Sequence, residues 1–176
     1  IGTFAVHAPQ NAEIIIVTGD KDELQLLDER VKVYFTKRGI SDIKAYDVAA
    51  FAADYEGLSP KQLIDLKGLM GDSSDNIPGV PGVGPKTALK LICEYGTVEN
   101  VLENIAQISG KSLKEKLENN KDAALLSKKL ATIFTEVPVD LELAKYELKA
   151  MSDEARPLMQ ELEFRNLHER FQTILG

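Results

Sequence analysis

The chain has 176 residues, 44% hydrophobic and 28% charged, with a formal net charge of −7. That is a globular balance, with room for one domain or one plus a small appendage, and no apolar run approaches the ~20 residues that span a bilayer. A single cysteine excludes an internal disulfide, and the acidic charge argues against a simple basic nucleic-acid binder unless clustered carboxylates hold metal and act as a cation platform.

The opening "IGTFAVHAPQ" lacks the basic and apolar regions of a signal peptide and reads as helix. "AEIIIVTGD" is a short, β-branched apolar run ending at Gly19 and Asp20, the pattern of a strand buried on both faces of a parallel sheet. "KDELQLLDER" follows with helical spacing, Leu24 and Leu27 on one side. "VKVYFTKRGISDIKAYD" predicts a hairpin: Val31 to Thr36, a turn at Lys37–Gly39, and Ile43 to Tyr46 returning. A parallel strand needs further partners, so the expected sheet is a remnant whose other strands lie outside these residues.

Asp47 is an expected N-cap for "VAAFAADYE", Gly57 a stop, and Ser59-Pro60 the start of "KQLIDLKGLM". Further helices are expected over "PKTALKLICEY", closed by Gly96, over "TVENVLENIAQI", and over "KSLKEKLENNKDAALLSKKLATIF". Cys93 falls in an apolar helical pattern and reads as a small buried hydrophobe. From Lys111 to Lys129, six lysines face Glu115, Glu118 and Asp122, a local balance of +3. After Pro138 the pattern is a short extended piece and one or two helices with Leu158, Leu162, Phe164 and Leu167 on an apolar face. His7 and His168 lack catalytic partners in the sequence and read as surface residues.

Three stretches could carry chemistry. Asp20 and Asp22 sit at the carboxyl end of the first strand, where open α/β sheets bind ligands. Two carboxylates so close repel, which a divalent cation relieves; the simpler reading is that Asp20 caps the next helix. An EF-hand is excluded, since Leu24 and Gln25 stand where the loop needs an oxygen ligand and a glycine. Asp72 and Asp75 in "GDSSDN" are three apart, a spacing that on a helical turn shares one face. The plain alternative is a cap and a solvated loop.

"GVPGVGPKT" comes close to a phosphate loop, but Pro85 intrudes before Lys86 and no strand precedes it. It reads instead as a tight hairpin between two helices. Pro85 suits the first turn of the second helix, whose free amides suit a phosphate oxygen. Such a helix-hairpin-helix grips a nucleic-acid backbone without reading its bases. A plain helix–helix turn, or nucleotide binding through Lys86, are the competing readings.

The segments "VTGDKDELQLL", "DLKGLMGDSSDNIPGVPGVGPKTALKL", "ALLSKKLATI" and "LEFRNLHERF" resemble, in order and over nearly the whole chain, the 5′-nuclease domain of the bacterial DNA polymerase I family. These domains are 5′–3′ exonucleases and flap endonucleases. The resemblance implies an α/β fold: a truncated mixed sheet flanked by helices, plus a mostly helical subdomain with a helix-three-turn-helix element. It divides the chain into core residues 1–58, a DNA-binding subdomain 59–136, and a helical segment 137–176 that packs on the core and leads to a possible polymerase.

It implies metal-dependent hydrolysis with Asp20, Asp22, Asp72 and Asp75 as metal-binding and catalytic carboxylates for two Mg²⁺ or Mn²⁺ ions. Gly79, Val80, Gly82, Val83, Gly84, Lys86 and Thr87 become the DNA-binding hairpin, with a K⁺ on its carbonyls. The implied partner is DNA with a 5′ flap, nick or junction, bound by a monomer in the bacterial cytoplasm near the nucleoid, in primer removal and repair. The family's other carboxylates and its arch correspond to nothing in these residues, so the four aspartates are expected to form part of a site, and efficient cleavage by this chain alone is not expected. A non-catalytic helix-hairpin-helix module is the alternative.

Overall fold

A computed structural model describes residues 1–38, 41–148, 155–164, 166, 167 and 170. Residues 1–139 form one compact unit and residues 140–176 a second. Among the described residues no helix is long and apolar enough to cross a membrane.

The first unit opens with α1 (Gly2–His7) and runs into β1 (Ile14–Thr18). A 3₁₀ turn at Asp22–Leu26 leads to β2 (Val31–Arg38) and β3 (Asp42–Tyr46). β1 pairs parallel with β2, Ile16 beside Val33, and β2 pairs antiparallel with β3, Val33 beside Tyr46. The result is a small mixed sheet in the order β1-β2-β3.

The expectation that β1 is buried on both faces is corrected. Ile16 is buried, but Ile15 and Val17 are 50% and 63% exposed, and β1 lies at the sheet's edge. Side chains alternate across a strand, so Ile16 meets the core while its neighbours face away.

The helices follow their start and stop signals. Asp47 accepts a hydrogen bond from Ala50 N at 2.7 Å and caps α2 (Val48–Asp54). Ser59 and Gln62 form a capping box over a 3₁₀ turn at Pro60–Gln62 that feeds α3 (Leu63–Met70). Thr97 caps α5 (Val98–Glu103) by accepting from Asn100 N. α4 (Pro85–Tyr95) ends at Gly96, whose φ of 85° suits only glycine without strain. The lysine-rich stretch breaks at Asn120 into α6 (Lys111–Asn119) and α7 (Lys121–Ala131). In the second unit Leu143–Tyr146 is a 3₁₀ turn and α8 covers Ala155–Glu161. His168 lies outside the described residues, and the expected apolar face of Leu158, Leu162, Phe164 and Leu167 is exposed.

α3 is the hub. Leu63, Leu66 and Leu69 are buried in one core that runs from Ala5 and Val33 to Val101 and Ala124. Gly68 lets α7 come close: a Cβ there would stand 2.9 Å from Val98 Cγ2 and 3.0 Å from Lys128 Cβ. Asp65 and Lys67, both buried, break the apolar run. Asp65 accepts from Val98 N and pairs with Lys128 at 2.7 Å, which fixes α3 to α5 and α7. Cys93 is exposed, contrary to the expectation from its apolar context. The inward stripe of α4 is Ala88, Leu91 and Ile92, and position 93 lies one helical step past it.

Candidate metal centre and nucleic-acid grip

β1 delivers its last residues to the rim of a cleft of about 490 Å³ lined by Asp20, Asp22, Lys67, Asp72, Ser74 and Asp75, among others. The turn after β1 is held by its own side chains: Asp20 N donates to Thr18 Oγ1, and Asp22 N donates to Asp20 Oδ1 at 2.8 Å. The Asp20 side chain therefore closes a tight local turn while lining the cleft; the 3₁₀ turn that follows has no side-chain cap, contrary to the expectation that Asp20 supplies one. Gln25 anchors the 3₁₀ turn to the end of α7 by donating to Ala131 O and accepting from Ile133 N.

Asp72 and Asp75 do not share a helical face. α3 stops at Gly71, and residues 72–77 form a tight loop closed by paired hydrogen bonds, Asp72 N to Ile77 O and Ile77 N to Asp72 O. The loop itself turns Asp75 back toward Asp72. Carboxylate oxygens of Asp22, Asp72 and Asp75 then lie within 4.8 Å of one another. Asp20 lines the same cleft without joining that trio.

The charges are only partly compensated. Asp72 Oδ1 accepts from Ser74 N at 2.9 Å and from the Ser74 hydroxyl. The Lys67 ammonium pairs with Asp72 Oδ2 at 2.6 Å and also with Asp22 Oδ1. Hydrogen bonding from Lys67, then from Ser74, holds the Asp72 carboxyl at about 2. Asp22 Oδ1 is buried and accepts no hydrogen bond among the described residues. Three carboxylates that offer hard oxygen donors, one of them with a buried oxygen compensated by the Lys67 ammonium, are a donor set that suits a divalent cation such as Mg²⁺ or Mn²⁺.

The hairpin follows directly. Gly79 has φ 61°, and a Cβ there would fall 2.2 Å from Gly71 N, so glycine is required by conformation and by space. Its amide donates to the fully buried Ser127 Oγ at 2.9 Å. Val80 N donates to Leu69 O and Val83 N to Val80 O. The side chains of Val80 and Val83 are buried, so they anchor the loop to the core and do not face a ligand.

Gly82, at φ 77°, offers its carbonyl to Lys116 Nζ at 3.1 Å. Gly84 has an ordinary φ of −90° and open space where a Cβ would be. Lys86 is exposed and Thr87 half-buried at the start of α4, where the first amides have no intrahelical acceptor. Sequence reasoning passed over Lys67 and Ser127. Lys67 had a signal, a lone cation in the apolar run "LIDLKGLM"; Ser127 had none.

Residues 58–154 match the family described as 5′-3′ exonuclease, C-terminal SAM fold. The chain is 46% identical over 97% of its length to the DNA polymerase I of Bacillus subtilis (strain 168), of which it spans 19%. It is 37% identical over 99% of its length to the 5′-3′ exonuclease of the same organism and spans 58% of that protein. Among solved structures, the flap endonuclease of bacteriophage T5 in complex with DNA and metal ions superposes with a TM-score of 0.59 at 23% identity, over 68% of this chain and 42% of that one. That likeness is one of fold. The chain belongs to the 5′-3′ exonuclease family with the C-terminal SAM fold.

Proposed function

We propose that these residues carry part of the metal centre and the duplex grip of a structure-specific 5′ nuclease, which cuts DNA near a 5′ flap, nick or junction as part of a DNA polymerase I-type protein. The observation that carries this reading is the meeting of Asp22 with Asp72 and Asp75 in one cleft, with the Gly79–Lys86 hairpin continuing from the loop that brings them there. Asp20, Asp22, Asp72 and Asp75 are the ligands and catalytic carboxylates. A divalent ion bound there supplies Lewis acidity toward phosphate oxygens. The aspartates hold that charge, and the cleft admits the phosphodiester from solvent.

The hairpin takes the duplex backbone. Gly84 leaves room for a phosphate at the first amides of α4, and Lys86 and Thr87 flank it. Gly82, Val80 and Val83 contribute backbone alone; a K⁺ on these carbonyls would compete with the Lys116 ammonium for the Gly82 oxygen. Backbone recognition implies weak sequence preference and strong salt dependence. The functional division is 1–58 for the α/β core with Asp20 and Asp22, 59–136 for the DNA-binding subdomain, which also carries Asp72 and Asp75, and 137–176 for a C-terminal helical segment. The protein acts as a monomer in the cytoplasm at the nucleoid. The curated relatives' names support this reading.

The test is calorimetric titration with Mn²⁺, then binding to a 5′-flap duplex followed by fluorescence anisotropy. Mn²⁺ binding should be lost on joint Asp72→Asn and Asp75→Asn substitution, while DNA binding survives in part through the hairpin. Unaltered Mn²⁺ binding in that variant would sink the assignment.

A further inference from the structure

Lysine is almost never fully buried unless paired. Lys67 is 5% exposed, on the central helix, and its ammonium lies in the carboxylate cluster. It pairs with Asp72 Oδ2 at 2.6 Å and with Asp22 Oδ1. These two aspartates come from separate segments, so the ammonium is the positive charge that ties the strand-end turn to the loop after α3. Asp22 Oδ1 is buried and makes no hydrogen bond among the described residues, which leaves this ion pair as its compensation.

Lys67 sits on one oxygen of each of two aspartates whose carboxylates a divalent ion in the cleft would need. The ammonium stands against both carboxylates, and a unit positive charge so close repels an incoming cation. Lysine can yield the place. Its four-carbon stem is flexible and can stay packed while the head moves.

We propose that Lys67 is the built-in counter-cation of the cleft: it holds Asp22 and Asp72 together when no divalent ion is bound and is displaced from their oxygens when one binds. This rests on the reading of Asp22, Asp72 and Asp75 as a divalent site. It makes Lys67 a positioning residue that weakens metal binding while supporting the shape of the empty site. The lysine charge thereby makes occupation of the cleft conditional on divalent concentration.

The test compares Mn²⁺ affinity by calorimetry in the full chain, in Lys67→Met, which keeps the stem's volume, and in Lys67→Arg, which keeps the charge. Lys67→Met should bind Mn²⁺ at least about tenfold tighter, since no cation must be displaced. It should also melt at a lower temperature without metal and recover when Mn²⁺ is added. Lys67→Arg should bind no tighter than the parent. Clear binding in the parent with equal or weaker binding in Lys67→Met overturns the proposal and leaves the metal site standing; absence of binding in both overturns the site and the proposal together. Should Lys67→Met fail to fold, Mg²⁺ titration of the parent labelled with ¹³C at lysine Cε decides. The Lys67 resonance should move in step with occupancy, and an unmoved resonance overturns the proposal.

Discussion

The acidic cleft and the glycine hairpin adjoin in sequence and differ in how they are built. The hairpin is closed by backbone: Gly79 N on Ser127, Val80 N on Leu69 O, Val83 N on Val80 O, with two valines sunk in the core. The cleft is held by charge, with one ammonium offsetting carboxylates from two segments. Packing and satisfied hydrogen bonds persist whatever binds. A balance of charges shifts with every cation or proton that enters. The grip is therefore a fixed shape, and the metal centre a conditional one.

The most severe way to break the hairpin is Gly79→Ala. The side chain would meet the Gly71 backbone and require a left-handed conformation, so urea unfolding should show a loss of about 3 kcal/mol or more. A loss under about 1 kcal/mol would mean that the close approach is not what holds the turn.

Two effects near 2 kcal/mol then set the regions side by side. Ser127→Ala orphans the buried Gly79 amide and should cost about 2 kcal/mol at every pH, read from the same unfolding curves. On the cleft side the cost depends on pH. Because the Asp72 carboxyl is held at about 2 in the folded protein, against 3.8 for an unperturbed aspartate, its contribution is fully present above about pH 4. It is lost as pH falls through that window, about 2 kcal/mol in the metal-free protein, and the loss should be absent from Asp72→Asn. A pH-independent Asp72→Asn difference would contradict the charge-held picture.

The smallest effect on stability is the most informative about the grip. Gly84 needs neither a positive φ nor space within the protein. Gly84→Ala should stay within about 0.5 kcal/mol of the parent, yet weaken duplex binding several-fold by anisotropy, since the methyl group would stand where a phosphate approaches. Equal DNA binding would show that the backbone does not come that close.

Much of the architecture was legible because its signals are local. Asp47, Pro85 and Gly96 act within their own turn, and each stands where its chemistry demands. The candidate site was legible as residue types: carboxylates after a strand, carboxylates before a glycine-rich turn. The exposure of Cys93 and of Ile15 and Val17 was not, because burial depends on what packs against an element.

By itself, then, the sequence determined several helix starts and stops (though not the break at Asn120), where the backbone needs glycine, and which side chains could hold a cation. Only the tertiary structure decided that Asp75 returns to Asp72 through a closed loop, that Val80 and Val83 point inward, and that Lys67 stands between Asp22 and Asp72. Caps and turns are set by neighbours along the chain. Charge pairing and burial are set by neighbours in space, which the packing of α3 against the strand-end turn and α7 brings together.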